Sequence, residues 1–128
     1  MSQIQAVTIV IKKDNRYLLG KRSLWKVSAP GYWCPVSGKI EAGETEAEAV
    51  CREAFEEVGL KVEPLKKLCE MDTRDGSGRL HWWTVKILEG EAFLKNNEHS
   101  EIGWFSIEEM ALLDPIFHED LDLIRTHL

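Results

Sequence analysis

Several features that define common protein classes are scarce or absent in this 128-residue chain. No apolar run approaches the roughly 18 residues of a membrane-spanning helix. The three cysteines, Cys34, Cys51 and Cys69, are widely spaced and contain no Cys-x-x-Cys pair, which argues against a disulfide framework and against a zinc site. The N-terminus lacks the basic start, apolar stretch and cleavage site of a signal peptide. We therefore expect a cytoplasmic protein with no membrane partner.

Basic residues are also fewer than acidic ones. Asp and Glu number 22 against 16 Lys and Arg, which gives a formal net charge of −6 at pH 7. A protein that follows the phosphates of a nucleic acid needs a basic face, so no nucleic-acid partner is expected. An acidic protein acting on an anionic substrate needs cations in its site, and bound metal would supply them.

The chain has the size and composition of one globular unit. Its length fits a single domain, 1–128, large enough for a hydrophobic core. Its content of 44% hydrophobic and 30% charged residues is ordinary for a soluble globular protein. No repeat, linker or low-complexity segment interrupts it. Nothing in the sequence distinguishes a monomer from a homodimer.

Hydrophobic patterning predicts strands on both sides of one long helix, followed by a helical end. Apolar or alternating segments predict strands, and capping boxes predict helix starts. The predicted strands cover residues 6–12, 17–22, 65–71, 80–88 and 104–105. An irregular lip is expected over 24–35, and shorter helices over 106–113 and 117–127. This order predicts an α/β sandwich around a mixed sheet.

The long helix is defined by local signals at both ends. Thr45 with Glu48 forms a capping box, and Gly59 tolerates the left-handed conformation just past a helix end. These signals predict a helix over about residues 45–58. The helical period then places a small apolar stripe towards the core, made of Ala47, Val50, Cys51, Ala54 and Val58.

The same helix carries an unusual concentration of acids. Glu53, Glu56 and Glu57 fall on one arc beside the core stripe, and Glu46 joins it one turn earlier. Arg52 flanks the arc and can hold Glu53 or Glu56 by charge-assisted hydrogen bonds. The arc is either an ordinary solvated face or a divalent-metal site, since hard carboxylate oxygens suit Mg²⁺ or Mn²⁺. The preceding Ser37-Gly38-Lys39, expected as a loop, favours the metal site because its backbone and Lys39 can approach a phosphate.

The spacing of this segment resembles the Nudix box of the Nudix hydrolases. It has the form G-x5-E-x7-R-E-U-x-E-E-x-G-U, where U is apolar, over 23 residues. Every fixed position is filled, by Gly38, Glu44, Arg52, Glu53, Ala54, Glu56, Glu57, Gly59 and Leu60. The runs Gly38-Lys39-Ile40-Glu41 and Gly43-Glu44-Thr45 are similar to the MutT branch in detail.

The resemblance implies a fold and a set of roles. The implied fold is the α/β Nudix-type αβα sandwich around a mixed β-sheet. Glu53, Glu56 and Glu57 would hold Mg²⁺, or Mn²⁺ as a substitute, with the Ser37 carbonyl as a further ligand. Arg52 would orient the glutamates, and Glu44 would steady the loop and helix. Lys39 and Arg22 would contact phosphate.

The general base is open between two acids. Glu98 and Glu101 are expected in a loop ahead of Trp104, where Nudix enzymes often place a water-activating or metal-binding acid. Glu98 resembles the position that the MutT branch uses. The alternatives are that this is an exposed acidic loop, or that Glu53 is the base.

The residues that recognise the non-phosphate part of the substrate are also open. Trp33, Trp82 and Trp83 are candidates for stacking on a nucleobase, although core packing is an alternative for each. Trp82 and Trp83 point to opposite faces of a strand, so at most one lines the cleft. The MutT branch reads its purine through an asparagine near the last helix, and residues 115–119 contain none; His118 is the candidate contact there. Oxidised-guanine specificity is therefore not expected.

The resemblance thus implies a pyrophosphohydrolase. The expected substrate is a small nucleotide or nucleoside diphosphate derivative, with a (deoxy)nucleoside triphosphate giving monophosphate and pyrophosphate as the main expectation. One alternative is an enzyme acting on capped or triphosphorylated RNA 5′ ends, which would want a basic groove. The other is a non-catalytic nucleotide sensor, which would normally have lost a box glutamate. A diphosphate isomerase fits less well, because the chain lacks an obvious proton-transfer cysteine motif.

Overall fold

The computed structural model describes residues 3–127, and that range contains seven strands and three helices. None of the helices among these residues has the length and hydropathy of a transmembrane segment. The elements are β1 (Ile4–Lys13), β2 (Arg16–Arg22), β3 (Trp33–Cys34), β4 (Val36–Lys39), α1 (Glu46–Val58), β5 (Lys61–Asp72), β6 (Gly78–Glu89), β7 (His99–Phe105), α2 (Ile107–Met110) and α3 (His118–His127).

The sheet is organised around β1. Its strand order is β3-β2-β1-β6-β5, with β4 paired to β1 and β7 paired to β2. Strand β1 runs parallel to β6 and antiparallel to β4, while β5 runs antiparallel to β6. The sheet is therefore mixed, as predicted from the sequence.

Helices cover both faces of this sheet. Because successive side chains of a strand point to opposite faces, Val7 and Ile9 of β1 pack towards α1, whereas Val10 packs towards α3. The core under α1 contains Ala49, Val50, Ala54 and Val58. The core on the other face contains Tyr17, Leu19, Trp82, Met110, Ile116, Leu121 and Ile124. The αβα sandwich expected from the sequence is confirmed.

Helix α1 begins and ends where the local signals predict. Thr45 Oγ1 accepts from the Glu48 amide and Glu48 Oε1 accepts from the Thr45 amide, at 3.1 and 2.9 Å. Gly59 adopts φ 71° and ends the helix. Such a cap contributes about 1 kcal/mol.

The apolar stripe of α1 was placed slightly wrongly. Ala49 is fully buried, whereas Ala47 and Cys51 are only partly buried. The ideal period of 3.6 residues fixes a stripe only approximately, so a neighbouring position such as Ala49 can belong to the buried face. Glu57 is also buried, which no apolar pattern could predict.

Three predictions about irregular segments are wrong in whole or in part. The irregular lip expected over 24–35 contains the short strand β3, which pairs with β2. Ser37-Gly38-Lys39, expected as a loop, belongs to β4 and pairs with β1. Glu101, expected in a loop, lies in β7 opposite Lys21, so only Glu98 precedes that strand. Strands β4 and β7 are polar and contain glycine, so their residues have little intrinsic preference for a strand. Pairing with neighbouring strands overrides that weak preference.

Candidate active site

One cavity of about 690 Å³ runs from the acidic arc of α1 to the start of α3. This volume is within the usual range of small-molecule sites, about 300–1,000 Å³. At the α1 end it is lined by Ser37, Gly38, Glu53, Glu56, Glu57 and Glu98. At the far end it is lined by Cys34, Arg74, Trp82, Phe117 and Asp120. The residues of the Nudix box and those of the last helix therefore share one cleft.

Arg52 organises the acidic end. It donates from Nε and Nη2 to the two oxygens of Glu44, at 2.7 and 2.9 Å. Its Nη1 donates to Glu53 and Glu56, at 2.7 and 3.1 Å, and Nη2 also donates to the Lys39 carbonyl at 2.9 Å. These hydrogen bonds connect α1, the preceding loop and β4. They raise the pKa of Arg52 and lower that of Glu44, so both groups stay charged.

Glu57 is the buried member of the arc. Its side chain is 3% exposed, and Oε2 has no hydrogen-bond partner among the described residues. Burial raises its pKa far above the usual range, and the neighbouring Glu53 raises it further. His99 Nδ1 lies 3.7 Å from Glu57 Oε1. Burial, helped by Arg22, lowers the pKa of His99 to about 4, so its imidazole is neutral near pH 7.

The acidic end has the donor chemistry of a divalent-cation site. Within residues 3–127, no three His, Cys, Asp or Glu side chains are already arranged as a metal cage, and Arg52 engages Glu53 and Glu56. The residues nevertheless fit a hard cation, which prefers carboxylate oxygens. A carboxylate buried beside another is unfavourable without a compensating charge, and Glu57 with its orphaned oxygen is in that position.

Glu98 lies at the mouth of the acidic end and is paired with Lys26. The Lys26 ammonium forms an ion pair with Glu98 Oε2, and both side chains line the cavity. The segment carrying Lys26 is held against the Glu98 loop, because Ser23 Oγ and Trp25 Nε1 both donate to the Asn97 carbonyl. Lys26 is a cavity cation that sequence reasoning missed.

The two phosphate candidates, Arg22 and Lys39, both line the cavity. Arg22 Nε donates to the Ser28 carbonyl at 2.9 Å, which holds its guanidinium near the cleft. Lys39 is exposed at the end of β4. Glu44 is outside the lining and lies behind Arg52.

The far end is built by residues from the β5–β6 turn and α3. Asp120 is 5% exposed, and its Oδ1 accepts from Arg74 Nη2 at 3.1 Å. The Arg74 guanidinium lies 3.3 Å from the centroid of the Phe117 ring. Phe117 in turn stacks on Tyr32 with centroids 4.3 Å apart. Burial raises the pKa of Asp120 to about 6 although Arg74 opposes the rise.

The tryptophan and histidine candidates divide between cleft and core. Trp82 belongs to the cavity lining, but its side chain is only 1% exposed. Its Nε1 has no hydrogen-bond partner among the described residues. Trp83 lies on the opposite face and donates to Glu46 at 2.9 Å. Trp33 packs edge-on against Phe105 and does not line the cavity. His118 is exposed outside the lining.

Sequence reasoning therefore missed most of the far end. The contact predicted near the last helix was His118, two positions before Asp120. A usable signal was present, because Asp120 precedes Leu121 on the inward side of α3, where a carboxylate is out of place. Nothing local marked Arg74, which comes from a turn 46 residues earlier.

Comparison with known proteins identifies the family. The NUDIX domain family matches residues 1–126. The CTP pyrophosphohydrolase of Escherichia coli (strain K12) is 32% identical over the whole chain and 93% of its own length. The NAD-capped RNA hydrolase NudC of Escherichia coli (strain SMS-3-5 / SECEC) is 26% identical over 85% of this chain, which spans only 41% of that relative. A crystal structure of a MutT NUDIX hydrolase from Burkholderia pseudomallei superposes with a TM-score of 0.84, at 26% identity and 98% coverage of both chains.

The chain belongs to the Nudix hydrolase family. It is an enzyme of the pyrophosphohydrolase type that acts on nucleotide derivatives. Members of the family generally use divalent metal ions.

Proposed function

We propose that the protein hydrolyses a cytosine nucleoside triphosphate to the monophosphate and pyrophosphate, with Mg²⁺ or Mn²⁺ as cofactor. The observation that carries this proposal is the single cavity joining the acidic arc to the Asp120–Arg74 pair. A site for a nucleoside triphosphate needs cations at the phosphate end and side chains that contact the nucleobase at the other end. The name of the 32% identical relative agrees with this substrate.

The phosphate end is assigned from charge and donor type. Glu53, Glu56 and Glu57 would hold the metal, with the Ser37 carbonyl as a further oxygen. The bound ion would neutralise phosphate charge and acidify a coordinated water. Arg52 keeps Glu53 and Glu56 oriented through its hydrogen bonds.

Three more side chains have roles at the phosphate end. Lys39 and Arg22, on the cavity wall, would contact phosphate oxygens. Glu98 is the proposed general base that activates water, and Glu53 is the alternative candidate for that role.

The base end is assigned from hydrogen-bonding complementarity. Cytosine presents an amino group beside acceptor atoms. A carboxylate accepts from that amino group, and a guanidinium donates to the acceptors. Asp120 and Arg74 form such a pair, and the pKa of Asp120 leaves it mostly ionised near pH 7. Uracil has no amino group, so it should bind less well.

A substrate panel tests the proposal. CTP, dCTP, UTP, ATP, GTP and a nucleoside diphosphate sugar are incubated with Mg²⁺ or Mn²⁺, and products are identified by ³¹P NMR. We expect CTP or dCTP to give monophosphate and pyrophosphate with the highest kcat/KM. Preferred cleavage of UTP, of a purine triphosphate or of the diphosphate sugar would contradict the assignment of substrate while leaving the family intact.

An RNA 5′ end is the second candidate, and the name of the NudC relative is what favours it. Five basic side chains line the cavity, but five glutamates and two aspartates lie among them, which gives an RNA chain no continuous basic groove. Adding NAD-capped RNA to the panel tests this directly. Faster turnover of that RNA than of CTP would favour the second candidate.

A further inference from the structure

Behind the acidic arc, two buried polar side chains face each other with incomplete hydrogen bonding. Glu57 is 3% exposed and His99 is 6% exposed. Glu57 Oε2 and His99 Nδ1 both lack a partner among the described residues, and Nδ1 lies 3.7 Å from Glu57 Oε1. That distance is just beyond a hydrogen bond. Buried polar atoms are nearly always paired, so this arrangement needs an explanation.

Two features of strands β2 and β7 place the His99 imidazole next to Glu57. The pairing of β7 with β2 shifts register between Lys21 and Arg22, where Arg22 pairs with His99. Such irregularities commonly redirect a side chain near an active site. Gly20 of β2 lies under the ring, and a Cβ there would stand closer than 3.0 Å to three ring atoms. The strand therefore leaves room for this side chain at this point.

We propose that His99 is a positioning residue, which donates a hydrogen bond from Nδ1 to Glu57 Oε1 and so fixes the oxygen that Glu57 turns to the cleft. The proposal rests on Glu57 being a metal ligand. A carboxylate that ligates a metal is ionised and only accepts hydrogen bonds, so a hydrogen bond between these two side chains needs a proton on Nδ1. Ligating carboxylates are usually held in this way by a neighbouring donor.

His81 provides a matched comparison. It is also 6% exposed, but it lies in β6 away from the cavity lining. Its Nε2 is 2.7 Å from Gln5 Oε1, and its Nδ1 is 3.1 Å from Lys67 Nζ. Replacing either histidine removes a buried imidazole, but only His99 faces Glu57.

The first test is the tautomer of the wild-type protein. Nitrogen-15 NMR of the Mg²⁺-bound enzyme at pH 7.5, in which the cation keeps Glu57 ionised, reports which ring nitrogen of His99 carries the proton. We expect the proton on Nδ1. A proton on Nε2 would overturn the proposal, and this measurement needs no variant that could fail to fold.

The second test is Mn²⁺ affinity by calorimetry in four variants. We expect His99→Leu to bind Mn²⁺ about 10- to 100-fold more weakly, and His99→Asn, which keeps a donor, to recover most of the affinity. His81→Leu should bind as the wild type does, even if it unfolds at lower temperature. Wild-type affinity in His99→Leu, with Glu57→Gln impaired, would overturn the role of His99 alone. Wild-type affinity in Glu57→Gln would overturn the ligand assignment on which the proposal rests.

Discussion

Gly38 is the position where the smallest change should disturb the site most. The Glu53 carboxylate packs directly on this glycine, and a Cβ there would stand closer than 3.0 Å to Glu53 Cδ and to both carboxylate oxygens. Carbon atoms rest about 3.5–4.0 Å apart, so in Gly38→Ala the carboxylate must retreat by about 1 Å or more. That retreat also strains its 2.7 Å hydrogen bond with Arg52.

The expected cost of Gly38→Ala is functional. A misplacement of about 1 Å in an active site can lower turnover about 100-fold, so we expect kcat/KM to fall by about that factor and Mn²⁺ affinity to fall with it. The backbone of β4 needs no left-handed conformation at Gly38, and alanine is intrinsically better in a strand by about 0.5–1 kcal/mol. The free energy of unfolding should therefore change little.

Gly43→Ala is the matched control. Gly43 has φ +80°, but nothing lies within 4 Å of a Cβ added there. Alanine is strained at positive φ, so this variant should lose about 1 kcal/mol of stability and keep near-normal turnover. Denaturant unfolding and steady-state kinetics on both variants separate the two effects. A Gly38→Ala enzyme within threefold of wild-type kcat/KM would refute the packing argument.

The remaining predictions concern the acids of the cleft. Glu57→Gln and Glu56→Gln should fold normally but lose several orders of magnitude in turnover at saturating Mg²⁺; either variant with near-wild-type turnover would show its assignment to be wrong. Glu98→Gln should lose less, and a loss equal to that of Glu57→Gln would make Glu98 a principal ligand or the base. Asp120→Asn should raise KM for CTP more than it lowers kcat, and an unchanged CTP-to-UTP preference would remove Asp120 from base recognition. Burial raises the pKa of the Asp120 carboxyl from 3.8 to about 6. The protonated carboxyl therefore makes its full contribution to the free energy of unfolding below about pH 4, and that contribution is lost as pH rises through 6. The loss is about 3 kcal/mol at most, so Asp120→Asn should unfold at higher denaturant concentration than wild type at pH 8 but not at pH 4.

The parts of the fold that the sequence predicts are those with local causes. Helix α1 follows from a capping box, a helical period and a terminal glycine, all within 15 residues. Strands β4 and β7 escaped prediction in whole or in part because their residues, such as Gly38 and Glu101, have little strand preference of their own. Their strand conformation comes from pairing with β1 and β2, which lie far away in the sequence.

The candidate site divides in the same way. Its acidic end could be predicted because Glu53, Glu56 and Glu57 sit on one helix with fixed spacing. Its far end could not, because Arg74 and Asp120 come from a turn and a helix that only the fold brings together. The burial of Trp82 was equally hidden, since alternation separates two faces of a strand without saying which one meets the cleft.

Calorimetric titration of Mg²⁺ into the enzyme, with and without a non-hydrolysable CTP analogue, tests most directly whether the acidic arc exists to bind a divalent cation. The wild type is expected to bind the ion, more tightly with the analogue present, and Glu57→Gln is expected to bind it far more weakly. A wild-type protein that takes up no Mg²⁺ or Mn²⁺ even with the analogue bound would contradict the assignment of the arc as the catalytic metal site.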